Sequence, residues 1–249
     1  MKYIVFSPET KIEGMTMLTR VTLAIDCEYG KSGDKGGWVE KPQNVIGDTW
    51  IGDEAVLSGE ATLSGSAVIK DKAKVSGSAS ITGKAIISGN AVVFGKATVR
   101  ENAQVMGNCV IKDQADVLGN VILKDDCLMW GKSRVHTGTW IESPFQAQGP
   151  VHFVTESQPG YLYIGCIEKS FLGWITGGYK IAKKYNAESN NQYVHYEAMI
   201  QPIIEKYVKY SLDNWDDLSL IQKATYKIVE VAGHKYLKGK DGDRYTRED

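Results

Sequence analysis

"SGSASITGKAIISGNAVVFGKATV", residues 76–99, repeats a six-residue phrase: a small residue, an aliphatic two positions on, and a glycine two beyond that. Outward from this stretch the phrase continues in strict register. Alanine occupies positions 55, 61, 67, 73, 79, 85, 91, 97, 103 and 115, and Cys109, Val121, Cys127 and Ser133 hold the same slot. An aliphatic residue or Met follows two places after each, from Leu57 to Val135. Between that residue and the next small one stands Gly or an acid: Gly59, Gly65, Asp71, Gly77 and so on through Glu101, Asp113, Asp125 and Gly131. In an extended strand alternate side chains share a face, so the small and aliphatic positions point the same way. Glycine permits backbone angles other residues avoid, so each Gly or acid marks a bend. Each hexad is then a short strand and a corner. Such a unit cannot bury its apolar side alone, but stacked units enclose one continuous core. The expectation is a β-solenoid.

The phrase in "IGDEAVLSGEATLSGSAVIKDKA", residues 51–73, resembles the hexapeptide repeat of left-handed parallel β-helices. The likeness covers roughly residues 43–140. It implies three hexads per triangular coil, eighteen residues per turn, and a left hand; the hand is an implication of the family, since crossovers elsewhere are right-handed. Proteins of that family are usually trimers. The expected fold class is mostly β: a left-handed parallel β-helix with an α-helical C-terminal cap. Cys109 and Cys127, eighteen apart, would stack inside as buried thiols; without His partners they make a poor metal site.

Eighteen residues per coil sorts the outward positions into columns. One face carries Val56, Lys74, Val92, Val110 and Leu128, with Phe94 and Trp130 near its corner. The next carries Thr62, Ser80, Thr98, Asp116 and Arg134. The third carries Val68, Ile86, Gln104 and Ile122, with Met106 beside them. Two faces are therefore apolar and one polar. Apolar columns of this size mark contact with something: the chain's own terminal segments, a second copy, or an external partner.

Four segments are expected: 1–42 as N-terminal strands or cap, 43–148 as the β-helix, 149–235 as a strand plus helices, and 236–249 as a polar tail. "MLTRVTLAIDCEYG" (17–30) alternates as a capping strand would, and 31–44 reads as a turn-rich entry. "GDKGGWVEKPQNV" (33–45) and "YLYIGCIEKSFLGWI" (161–175) resemble stretches of a group of bacterial and phage β-helix proteins, a likeness that implies a fold and no activity. Beyond Pro150 the pattern suggests a strand at 161–166 and helices over 171–185, 191–210 and 216–232, the last with Leu218, Ile221, Thr225, Ile228 and Val231 at helical spacing. These helices are expected to cap the solenoid's open end.

The 249 residues carry 29 Lys+Arg against 30 Asp+Glu, a formal net charge of −1, which gives no reason for general nucleic-acid binding. No apolar run approaches a membrane span, and four scattered cysteines suit a reducing cytoplasm. The β-helix resemblance implies one enzyme class, coenzyme A-dependent acyltransferases with a His general base. The candidate is His136, on the polar face. His152, His195 and His234 read as loop, helix and helix-cap residues. The hexads run to Gly138 without the inserted loop such transferases use, which favours a non-enzymatic reading. Phe94, Lys112 and Trp130, with Lys74 and Met106, form the candidate ligand-binding set, placing aromatic surface beside positive charge for a nucleotide-like or other anionic small molecule. Lys70, Lys72, Lys74 and Arg100 form a basic outer patch. "DGD" at 241–243 lacks the other ligands of a calcium loop, and no metal or cofactor is called for. The expected protein is a homotrimer holding an anionic small molecule or a host protein. The alternatives are the acyltransferase and a purely structural assembly protein.

Overall fold

The computed structural model describes residues 3–171, 173–174, 178, 181, 195–196, 198–200 and 202–203, and the backbone of 226–231 and 234–239. The chain forms two compact units: Met1–Gln148 with Phe153–Pro159 and Tyr163–Gly165, and Gly149–His152 with Gly160–Leu162 and Cys166–Asp249.

The first unit is a parallel β-solenoid of six stacked coils. Its register is eighteen residues: Thr98 lies beside Ser80, Gln104 beside Ile86, and Val110 beside Val92. Three walls result, one per hexad, hereafter the Val92, Thr98 and Ile86 walls. The inward slots are sealed, with Ala79 only 1% exposed and Ile81, Ile87, Val93 and Val99 at 0%. Each aliphatic side chain so enclosed contributes about 1.5–3 kcal/mol. This apolar filling is what holds coils whose strands are two residues long.

The corners explain the Gly-or-acid position. From Gly47 to Gly131 every sixth residue has a φ between +53° and +86°, including Asp53, Asp71, Glu101, Asp113 and Asp125. Three of the acids do more than tolerate this conformation. The Asp53 carboxylate accepts from the Asp71 amide, Asp71 from Gly89, and Asp113 from Gly131, at 2.7–3.0 Å. Each ties its own corner to the one eighteen residues on. Asparagines add ladders beside the corners, Asn90 to Asn108 to Asp126 and Asn102 to Asn120.

The first coil starts earlier than the repeat phrase indicates. Strands β1 (Ile4–Glu13), β2 (Thr16–Leu23) and β3 (Lys35–Val39) open the chain. β3 already belongs to the Val92 wall, with Trp38 beside Val56 and Val39 beside Leu57. Gly37 takes its small slot, where a Cβ would lie 2.5 Å from the Ala55 carbonyl oxygen. β1 and β2 form an antiparallel hairpin, and β2 pairs with β3. Ile4, Val21 and Leu23 join the core, while Leu18 buries with Trp38 and Val56 on the outer side of the wall.

Within this unit the last coil is closed by extended segments. The Gln146 side chain imitates a peptide unit: its Oε1 accepts from Trp130 N–H at 2.8 Å and its Nε2 donates to the Leu128 carbonyl. Ser143 Oγ accepts from Leu128 N–H. Strand Phe153–Gln158 pairs antiparallel with Gln146–Gln148, and its Ser157 carbonyl accepts from His136 N–H at 3.1 Å.

In the second unit, described residues among 171–181 and 195–203 are helical, consistent with two of the expected helices, most of whose length lies outside the described residues. The Trp174 indole N–H donates to the Leu162 carbonyl at 2.9 Å, and the Tyr196 hydroxyl accepts from the amides of Val151 and His152. The helix expected over 216–232 is corrected at its C-terminal end. Tyr226–Val231 is a strand, antiparallel to His234–Gly239 with Ile228 opposite Leu237. The β-branched Ile228, Val229 and Val231 favour a strand, a preference that the three-residue spacing of Ile228 and Val231 masks. His234 opens a strand and caps no helix, and that strand crosses the expected boundary at 235/236. The "DGD" lies outside the described residues.

Candidate binding surface

Position along the repeat decides which candidates meet. Phe94, Lys112 and Trp130 are eighteen apart, and the amides of Phe94 and Lys112 donate to Ile111 and Met129 of the following coils. They form one vertical column at the corner between the Val92 and Thr98 walls. Phe94 is 36% exposed, while Lys112 and Trp130 are half-buried. Phe153 stands edge-on to Trp130, ring centroids 5.0 Å apart, so the column rests on an aromatic footing.

Lys74 and Met106 do not join them. Lys74 lies above Val92 on the wall itself, and its ammonium pairs with Glu13 at the tip of the β1–β2 hairpin. That hydrogen bond, and the charge behind it, hold the Glu13 carboxyl below its usual range. Met106 follows the Ile86-wall strand of its coil and so occupies a different corner, a full side of the solenoid from Lys112. The basic patch is likewise divided: Lys70 and Lys72 are exposed, Lys74 faces Glu13, and Arg100 is bound to Asp116.

The hairpin covers the upper part of the Val92 wall. Leu18, Trp38 and Val56 are all 6% exposed or less, and the Trp38 ring carries Lys11 and the Arg20 guanidinium at 4.5 and 4.6 Å. Below the hairpin Val92 and Val110 are half-buried and Leu128 is 37% exposed. On the Ile86 wall Val68, Ile86, Gln104 and Ile122 are half-buried.

The polar wall is organised by Asp116. Thr98 Oγ1 donates to its Oδ1 at 2.7 Å, Arg100 binds both oxygens at 3.1 Å, and Arg134 Nε donates to Oδ2 at 3.0 Å. Burial pushes this carboxyl up, but the donors from Arg100, Thr98 and Arg134 outweigh it and hold the pKa below the ordinary value. His136, the transferase candidate, follows on the same wall, its ring edge-on to Tyr163 at 6.0 Å. His152 and His195 belong to the second unit.

Inside, Cys109 and Cys127 are fully buried free thiols. Burial first, and the neighbouring Cys127 second, push the Cys109 thiol up to about 12. No cluster of three metal-ligating side chains occurs among the described residues, and no helix among them is long and apolar enough to cross a membrane.

Sequence reasoning missed the hairpin contacts, the Asp116 hub and the Gln146 cap. It also passed over Lys96 and Lys132, each two residues beyond a column aromatic on the same corner. The eighteen-residue period would have found those two. No protein-family model matches the chain, and no curated protein matches it in sequence.

Proposed function

We propose that this protein is a non-enzymatic binding scaffold that works as a homotrimer and holds an anionic small molecule, or an acidic surface of a host protein, where its subunits meet. One observation carries this reading. The hairpin covers only the top of the Val92 wall, while Val92, Val110 and Leu128 below it remain partly open to solvent. A ladder of this kind on a rigid surface is a contact waiting for a partner. The likeness to left-handed hexapeptide-repeat β-helices, usually trimers packed wall to wall, supports a second and third copy as that partner. The free thiols of Cys27, Cys109, Cys127 and Cys166 suit a reducing compartment such as the cytoplasm.

The acyltransferase reading has less support. His136 lies on the polar wall against Tyr163, and the hexads throw out no loop to enclose a substrate. The structural-filament reading is weakened by Gln146 and Ser143, which occupy the backbone groups of Leu128 and Trp130 that a stacking copy would need.

The test is extraction of the purified protein under denaturing conditions followed by mass spectrometry, with calorimetry against acetyl-coenzyme A in parallel. A near-stoichiometric anionic compound or a co-purifying protein, with no response to acetyl-coenzyme A, is the expected result. Acetyl transfer abolished by His136→Ala would overturn it.

A further inference from the structure

The corner between the Val92 and Thr98 walls carries a second column beside Phe94, Lys112 and Trp130. Two residues further along each coil stand Lys96, Gln114 and Lys132. The amides of Lys96 and Gln114 donate to Asp113 and Gly131 of the next coil, which holds this column in register too. Aromatic and cationic groups thus run down one ridge at the coil spacing, about 4.8 Å per step. Lys96 and Lys132 are exposed, and among the described residues none of the three lysines has an ion pair. The one carboxylate set in this stretch of the corner is Asp113, which accepts from Gly131 N–H at 3.0 Å. Round the corner, the Asp116 carboxylate is bound by Arg100 and Arg134 and so does not compensate the lysines. The ridge is a positive strip on a chain whose net charge is −1.

We propose that this ridge is a binding track for an extended acidic polysaccharide, with the chain axis running parallel to the solenoid axis. This rests on the binding reading above for the anionic character of the ligand and goes beyond it in the ligand's class and its place on the molecule. One coil step is close to the advance of one sugar ring in an extended chain. The exposed face of Phe94 takes the apolar face of one ring. Lys96 and Lys132, two coils apart, meet carboxylates or sulfates carried on alternate sugars. Lys112, between the two aromatics, binds the intervening ring's hydroxyls or charge. A nucleic acid is a poorer fit, because three lysines neutralise few phosphates and its affinity grows with that number.

The experiment is calorimetry of the full chain against hexameric oligouronates, sulfated oligosaccharides and neutral oligosaccharides of equal length, with an oligothymidylate of matched charge as the rival. At least one acidic oligosaccharide is expected to bind, more tightly than its neutral counterpart. Its affinity is expected to fall about tenfold or more in Lys96→Gln/Lys132→Gln, as two charge-assisted contacts are lost. Phe94→Ala is expected to weaken it further, and raising salt from about 50 to 300 mM to weaken it as well. Circular dichroism of each variant, matching the parent, separates these losses from unfolding. The proposal is overturned if no acidic oligosaccharide binds, if the lysine and Phe94 variants bind as well as the parent, or if the oligothymidylate binds more tightly. Failure with an anionic compound or partner still co-purifying sinks the polysaccharide track alone. Failure with nothing co-purifying sinks the binding reading as well.

Discussion

Gly89 offers a test in which a larger side chain is expected to do less harm than a smaller one. Its φ is +70°, and a Cβ placed there would lie 2.8 Å from both the nitrogen and the oxygen of Gly107 in the next coil. Gly89→Ala therefore incurs the left-handed backbone penalty, about 1–2 kcal/mol. It also forces the coils apart and strains the 2.8 Å hydrogen bond from Asn90 N–H to the Gly107 carbonyl, worth about 1 kcal/mol. The sum is about 2–3 kcal/mol. Gly89→Asp introduces the same Cβ, but its carboxylate reaches the Gly107 amide as the Asp71 carboxylate reaches Gly89, at 2.7 Å. A hydrogen bond to a charged acceptor returns about 1.5–2 kcal/mol, and Asp adopts the left-handed region more readily than Ala. Asp53 and Asp71 already stand in adjacent coils of this column, so one carboxylate above another is accommodated. Urea unfolding followed by circular dichroism should place Gly89→Asp about 1–2 kcal/mol above Gly89→Ala. Equal stability of the two, or a more stable Ala variant, would refute the role assigned to the corner acids.

Three further outcomes follow from the same geometry. Asp116→Asn should cost about 1–3 kcal/mol at neutral pH, because it leaves Arg100 and Arg134 short of an acceptor. Folding lowers the pKa of Asp116, so its contribution is complete above the unfolded carboxylate value near 3.9 and fades as pH falls through the lowered folded value. The gap between parent and variant in thermal unfolding should therefore close in acid. Gln146→Ala should cost about 1–2 kcal/mol and speed hydrogen exchange at the Trp130 amide, whose partner it removes. A thiol reagent at pH 8 should modify exposed Cys166 at once and reach Cys109 and Cys127 only on unfolding, since both are buried and their thiols are pushed upward.

The solenoid was legible because one period carries both of its requirements. The inward slots of 55–135 and the left-handed corners recur every six residues, and nothing distant is needed to read either. The first coil escaped because Gly37 and Trp38 fill slots held elsewhere by Ala and by smaller residues, so the phrase is not visible there. Glu13 and Lys74, or Trp130 and Gln146, meet only once the coils are stacked, and no local pattern announces such pairs. Met106 and Lys74 were grouped with Phe94 on chemistry; the eighteen-residue register separates them. The C-terminal strand escaped because Ile228 and Val231 stand at a helical spacing, while the preference of Ile228, Val229 and Val231 for extended backbone is a weaker local signal.

Sedimentation equilibrium of the parent protein and of Val110→Glu tests most directly whether the open walls are contact surfaces. The parent should sediment at three times the chain mass over micromolar concentrations, and Val110→Glu, with a charge set into the ladder below the hairpin, at the mass of one chain. A parent that remains a single chain throughout, or a Val110→Glu variant as associated as the parent, would contradict the proposal.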